Sequence, residues 1–247
     1  MEALIKNKEE AAIQSNNLQS GSAGVIIIDS FYAKYGKRIL DILVSLAALI
    51  ITAPINLLIG LITYVDVGRP LFFRQLRVGK DLKQFQIVKF RNMRDLVDDK
   101  GALLPPEDRV TAFGKIVRKT SLDELLNFWN VLKGDMSIIG PRPLLVDYLP
   151  YYSERQLMRH AVRPGLECPS LIERENPRSW EEQFEDDIWY VEHVSLETDL
   201  RMMLALIKLV FNKKEVKRRG MALRGRFDNE CIKKKSLERN ISEEKAG

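Results

Sequence analysis

At 247 residues and 28.5 kDa, the chain has room for one domain with a proper core and a short appendage, which excludes a large multidomain machine. Apolar residues at 45% and charged residues at 30% exclude wholesale disorder and a polytopic membrane protein alike, and a net charge of +5 does not by itself call for a polyanionic partner. Two cysteines, Cys168 and Cys231, and two histidines, His160 and His193, are too few for a disulfide framework or a zinc site and suit a reducing cytoplasm.

Residues 1–30 mix charge with Ser, Asn, Gln and Gly at weak periodicity and read as a flexible lead. Residues 31–66 make a membrane segment: 24 uncharged residues, Ile42 to Val65, lie between Asp41 and Asp66, where a spanning helix needs about 20. The run begins too far along the chain for a cleaved signal, after an N-terminus that lacks a basic region next to a short apolar core. Cations flank it on both sides, with Lys34, Lys37 and Arg38 before it and Arg69, Arg74, Arg77 and Lys80 after it. A spanning helix keeps such an excess mainly on its cytoplasmic side, so both flanks point to one compartment. Pro54, near the middle, removes one N–H and collides with the carbonyl of Ile50. The arms on either side are about 22 and 16 Å long at ~1.5 Å per residue, each short of a ~30 Å hydrocarbon core. We therefore expect a re-entrant hairpin bent at Pro54, with Thr52 and Asn56 placed to satisfy freed backbone groups. One straight transmembrane helix is the competing reading.

Residues 67–228 follow as a domain on the cytoplasmic or interfacial side of that segment. The β-prone pieces Leu71–Phe73 and Phe85–Val88, separated by Gly79-Lys80-Asp81, predict a small hairpin, and residues 95–108, with Gly101 and Pro105-Pro106, read as a loop. Ser121 followed by Glu124 has the spacing of a capping box, which predicts a helix from Leu122 to Lys133 ended by Gly134. On that basis alone Asp123 and Glu124 are first-turn acids favoured by the helix dipole. They also stand among fixed cations, with Arg118 and Lys119 upstream and Arg142 between two prolines downstream, an arrangement that suits a phosphate and Mg²⁺.

Charge is sorted by region. Residues 34–94 hold eleven basic and three acidic residues, 173–199 ten acidic and two basic, and 208–226 eight basic and one acidic. Within Leu196–Phe211, Leu196, Leu200, Met203, Leu204 and Ile207 share a helical stripe, read either as a core-facing stripe or as a face lying on an anionic membrane surface. No recognition motif accompanies the basic residues, so nucleic acid is not expected. Residues 229–247 read as a charged tail.

Several motifs occur together and in order: Lys37-Arg38-Ile39-Leu40-Asp41, Lys89-Phe90-Arg91-Asn92-Met93, Phe113-Gly114-Lys115 with Arg118, Ser121-Leu122-Asp123-Glu124-Leu125, the run from Asn130 to Ser137, Gly140-Pro141-Arg142-Pro143, and Arg163-Pro164-Gly165. Over roughly Tyr35 to Asp228 the sequence closely resembles the monotopic phosphoglycosyl transferases, small bacterial sugar transferases that start glycan assembly on polyprenol phosphate. The resemblance implies a UDP-sugar donor, a polyprenol phosphate acceptor, Mg²⁺, and a place on the cytoplasmic face of the bacterial inner membrane. It implies Asp123 as the nucleophile, Asp123 and Glu124 as metal ligands, and Lys89, Arg118, Arg142 and Arg163 as phosphate-binding cations. An aspartate near its reference pKa of ~3.9 is ionised at neutral pH and needs no strong base. The implied fold is α+β and mainly helical: a re-entrant membrane hairpin, amphipathic interfacial helices, and a small cytoplasmic head with a short β-hairpin. A homodimer stays open.

Two departures stand out. The family usually has Ser before the membrane proline, and here the residue is Ala53. After Gly165 the family's Thr-Gly-Trp-Ala-Gln type stretch is replaced by Leu166-Glu167-Cys168-Pro169-Ser170 and the residues to Asn176, which puts nucleotide-sugar contacts from that loop in doubt. Cys168 has no His beside it and reads as structural. The altered loop favours a silent membrane-surface scaffold, which retention of Asp123, Glu124, Arg118 and Arg142 opposes. Neither an Asp-x-Asp nor a P-loop motif occurs, so two further enzyme classes drop out. Residues Leu144–Pro150 resemble members handling N-acetylated hexoses, which does not fix the sugar.

Overall fold

The computed structural model describes residues 30–169, 178–211, 225–234 and 236. The expected flexible lead, the altered loop beyond Pro169, most of the basic run after Lys208 and the end of the charged tail lie outside the described residues.

A π-helical turn, Tyr32–Gly36, runs into helix α1, Lys37–Asp66, whose 30 residues include Pro54. The helix is apolar and long enough to cross a membrane, and little of it is covered by the rest of the chain. It is assigned as one helix, so two separate arms meeting at a break are not what its secondary structure shows. Thr52 Oγ1 donates to the Ala48 carbonyl (2.7 Å) and Asn56 Nδ2 donates to Thr52 Oγ1 (3.2 Å). The two polar side chains thus knit the turn around Pro54 to itself, and neither serves the Ile50 carbonyl as expected.

Both ends of α1 are tied to the same head. Lys37 Nζ pairs with Asp199 Oδ2 at 2.7 Å, and Arg38 donates to the carbonyls of Val131 (2.6 Å) and Leu132 (2.7 Å). Asp41 is buried and accepts from Ser137 Oγ (2.9 Å) and the Ile138 N–H (3.0 Å). At the other end Arg94 donates to the Asp66 carbonyl and to Asp66 Oδ1, both at 2.8 Å. Lys37 and Arg38, read from the sequence as cations flanking lipid, are instead docking groups that satisfy a buried carboxylate and orphan helix carbonyls.

The expected hairpin forms and is longer than its β-prone pieces: β1, Phe72–Val78, pairs antiparallel with β2, Gln84–Phe90, in the register Phe72↔Phe90 to Val78↔Gln84. Residues 95–108 carry only an isolated bridge, Val97↔Leu103, and the start of a single turn, Pro106–Arg109. Helix α2, Ala112–Thr120, is capped by Thr111, whose side chain accepts from the Gly114 N–H. A 3₁₀ turn, Leu122–Glu124, and helix α3, Asn127–Lys133, follow. Strand β3, Ser137–Ile139, pairs in parallel with β4, Gly165–Glu167, a pair the sequence did not predict. Helices α4, Trp180–Glu192, and α5, Leu196–Phe211, complete the described fold.

The head has two apolar clusters. One gathers Tyr148, Tyr152, Trp180, Phe184 and Phe227 with Val78 and Leu144. The other joins Phe85 and Ile87 of the hairpin to Val131, Ile138, Tyr190 and Met202. On α5, Met202 is buried and Met203 of the predicted stripe packs against the core, while Leu196, Leu200, Leu204 and Ile207 are about half exposed and face outward.

Candidate active site

The predicted capping box at Ser121 does not form. Ser121 is left-handed (φ 56°) and closes α2, its N–H bonded back to Arg118. Its carbonyl accepts from the Glu124 N–H at 3.1 Å, which starts the 3₁₀ turn, and the α-helix begins only at Asn127. Glu124 cannot reach back to cap because two cations hold its side chain elsewhere.

Those cations arrive from different elements. Lys89 is on the β2 face that also points Phe85 and Ile87 inward, and its Nζ donates to Glu124 Oε1 at 2.6 Å. Arg142 Nη2 donates to the same oxygen at 2.7 Å, and its Nη1 lies 3.6 Å from Glu167 Oε2. Arg142 is placed by two glycines. A Cβ on Gly140 would stand 2.6 Å from the Arg163 carbonyl, and one on Gly165 2.2 Å from the Gly140 nitrogen, so only glycines let the two backbones meet here. This is the physical content of the Gly-Pro-Arg-Pro and Arg-Pro-Gly motifs.

Burial alone would raise the Glu124 pKa, but Arg142 and Lys89 outweigh it and hold the carboxyl down at about 2. Asp123 behaves oppositely. It is 7% exposed, and burial, helped by the Glu124 charge, raises its pKa above the ordinary value, with Lys89 and Arg118 opposing. The expectation of an unperturbed aspartate is therefore corrected: desolvation makes it a stronger base, whereas two directly bonded cations keep Glu124 ionised.

The cleft beside these groups is lined by Arg77, Lys89, Glu124, Asn127, Arg142 and Gly165, among others. Asp123 does not line it and sits one residue back in the same turn. Arg118 is exposed on the last turn of α2 and acts on Asp123 through its charge. Arg163 is not brought in: its Nε donates to the Gly134 carbonyl at 2.9 Å, finishing α3. Arg77, read from the sequence as a membrane-flanking cation, is a lining residue that reasoning missed; no local signal marks a strand arginine for a cleft built from four other segments. Cys168 is buried, which pushes its thiol well above the ordinary value and fits a structural role.

No group of three or more His, Cys, Asp or Glu side chains poised for a metal occurs among the described residues. Mg²⁺ asks for only one or two carboxylates and completes its shell with phosphate oxygens and water, and Glu124 is the carboxylate that lines the cleft. Glu124 would offer Oε2, since Oε1 receives both cations.

A second, apolar groove of about 710 Å³ lies between α1 and the hairpin, lined by Leu49, Ala53, Leu57, Phe72, Phe90 and Leu126 among others. Thus the segment 122–126 touches both spaces: Glu124 faces the polar cleft and Leu126 the apolar groove. Pro54 adjoins the groove through Ala53.

Residues 32–213 match the family model described as bacterial sugar transferase. The chain is 41% identical over 191 residues, 77% of this chain and 95% of the relative, to an uncharacterized sugar transferase, EpsL, of Bacillus subtilis (strain 168). It is 32% identical to a UDP-N-acetylgalactosamine-undecaprenyl-phosphate N-acetylgalactosaminephosphotransferase of Aeromonas hydrophila, over 80% of this chain and 48% of that one. With a UDP-glucose:undecaprenyl-phosphate glucose-1-phosphate transferase of Klebsiella pneumoniae it shares 36% identity over 72% of this chain and 40% of the relative. The chain thus spans nearly the whole of the first relative and less than half of the other two.

Proposed function

The chain belongs to the bacterial sugar transferase family, and from that premise we propose that it transfers a phosphosugar from a UDP-sugar to polyprenol phosphate, releasing UMP. The observation that supports the proposal is the turn 122–126, which carries Glu124 to a cation-lined cleft and Leu126 to an apolar groove along α1, with Asp123 in the same turn. A water-soluble donor and a greasy acceptor meet at one carboxylate.

In the first step a carboxylate oxygen of Asp123 attacks the β-phosphorus of the donor. The bond from that phosphorus to the bridging oxygen breaks, and UMP leaves with the electron pair. In the second step an oxygen of the lipid phosphate attacks the same phosphorus and releases Asp123, giving polyprenyl diphosphate-sugar. Lys89 and Arg142 offset charge on the donor's diphosphate that an anionic nucleophile must approach, Arg118 adds to that field from the surface, and Arg163 supports the loop that presents Arg142. Glu124, pinned by two cations, positions them. Asp123 and Glu124 would hold Mg²⁺, which supplies further neutralisation of the diphosphate.

The same geometry supports a membrane placement. Both ends of α1 are bonded to one head, which favours a re-entrant wedge bent at Pro54 that enters and leaves on the cytoplasmic side of the inner membrane. The outward stripe of α5 then rests on the bilayer surface.

The test is direct: detergent-solubilised protein, Mg²⁺ and polyprenol phosphate are offered a panel of UDP-sugars and UMP release is measured. One productive sugar is expected, with a phosphosugar adduct captured on the protein and lost in Asp123→Asn. Silence across the panel would leave a scaffold, and an adduct persisting in that variant would move the nucleophile elsewhere. Reporters placed at the N-terminus and after Val65 are expected on the same side of the membrane; opposite sides would remove the wedge.

A further inference from the structure

Arg77 stands at the cleft with bonds that do not match its charge. Its Nη1 donates to the Pro143 carbonyl at 3.2 Å and its Nη2 to Gln75 Oε1 at 2.6 Å, both neutral acceptors. Its Nε is shut off from water and has no partner. Among the described residues no carboxylate forms an ion pair with it, whereas Lys89 and Arg142 both reach Glu124. Three cations therefore line the cleft around one lining carboxylate, with Glu167 Oε2 lying 3.6 Å from Arg142 Nη1.

A guanidinium has five N–H donors, and leaving one buried without an acceptor, with no carboxylate bonded to the group, costs free energy that a merely structural residue has no reason to incur. Glutamine or methionine could fill the same strand position without that cost. The missing partner must be anionic, must enter from the cleft, and must be able to bridge Arg77 and Arg142, whose loop Arg77 already touches through Pro143. A diphosphate meets all three requirements. A single carboxylate would satisfy one guanidinium and leave the second cation short.

We infer that Arg77 is a donor-binding residue, a third cation that meets the diphosphate of the nucleotide-sugar beside Lys89 and Arg142. The inference rests on the proposed UDP-sugar reading and adds a residue to that site. Burial, and after it the nearby charge of Arg142, already lower the Arg77 pKa, as expected for a cation waiting for an anion.

The test uses full-length protein in nanodiscs with Mg²⁺, titrated with UDP by calorimetry, and compares wild type, Arg77→Gln and Arg77→Lys. Arg77→Gln is expected to weaken UDP binding about tenfold to a hundredfold, the range of a lost charge-assisted bond. Arg77→Lys should recover part of that loss. The unliganded melting temperature of Arg77→Gln should stay level or rise, because an unpaired charge has gone. Equal UDP affinity in wild type and Arg77→Gln would overturn the inference. So would a weaker affinity that comes with a lower unliganded melting temperature and no rescue by lysine, since that describes a strut for the Pro143 loop. A wild type that does not bind UDP would overturn the donor reading itself, an outcome separate from the other two.

Discussion

Two ionic clusters lie on either side of the same residue and are built on opposite plans. Beneath Arg142, Arg159 donates its Nε (3.0 Å) and Nη2 (2.7 Å) to Asp187 Oδ2 and a further 2.7 Å bond to the Arg142 carbonyl. The Arg159 and Asp187 side chains are 1% and 2% exposed, one charge against one. Above it, one oxygen of Glu124 receives both Lys89 and the Arg142 guanidinium, in a cleft where Arg142 is 42% exposed and Arg77 adds a third positive charge. The closed pair holds the backbone of a residue whose side chain belongs to the open cluster. Matched charge under cover supports; unmatched charge at a cleft recognises.

The comparison can be broken in several ways. The largest effect is expected from Asp123→Asn, which should cost at least ~10⁴-fold in turnover with folding intact, since a carboxamide cannot replace the attacking oxygen. Arg159→Met should destabilise the protein by about 3–5 kcal/mol in denaturant unfolding, because it leaves Asp187 buried and alone, and the folded fraction should keep measurable activity. A variant as stable as wild type yet inactive would show that the buried pair belongs to the site. Glu124→Gln should lower turnover by ~10²–10³-fold with little loss of stability, the converse pattern.

Acidification sharpens the same contrast. Glu124, held at about 2 against an ordinary 4.5, contributes stability that is present above pH 4.5 and lost as pH falls toward 2, a modest amount because a quarter of the side chain meets water. The stability gap between wild type and Glu124→Gln should narrow over that window. Asp123, raised above 3.8, protonates first, so the acid limb of kcat/KM should have its midpoint above 3.8 while Glu124 is still charged. The smallest effect is reserved for Arg155→Ala, which removes an exposed pair with Glu185 and should change stability by under about 1 kcal/mol.

How much of this was legible in the sequence depends on the distance over which each contact acts. The hairpin was readable because β-propensity and a turn lie within twenty residues, and the membrane helix because apolarity is local. The Asp123, Glu124, Lys89 and Arg142 set was found through motif resemblance, and the fold gathers Glu124, Lys89 and Arg142 around one oxygen. Ser121 misled because a capping box and a left-handed helix end can share one spacing, and the pull of Lys89 and Arg142 on Glu124, from other segments, decides between them. Lys37 and Asp41 looked like membrane flanks because their partners, Asp199 and Ser137, are about a hundred residues or more away. The acidic block 173–199 had the same problem: Asp187 and Asp199 answer Arg159 and Lys37, which belong to other segments.

The aromatic cluster of the head has a temporal consequence. Phe227 packs edge-on, tilted or stacked against Tyr148, Tyr152, Trp180 and Phe184, and the Trp180 indole donates to the Gly225 carbonyl at 3.2 Å. Four rings leave the ribosome well before the fifth. At ~5–20 residues per second the greasy α1 is translated roughly ten to thirty seconds ahead of Phe227. The apolar helix is therefore complete while the head still lacks its last stone, and the aromatic cluster closes only after the whole of α1 has been made.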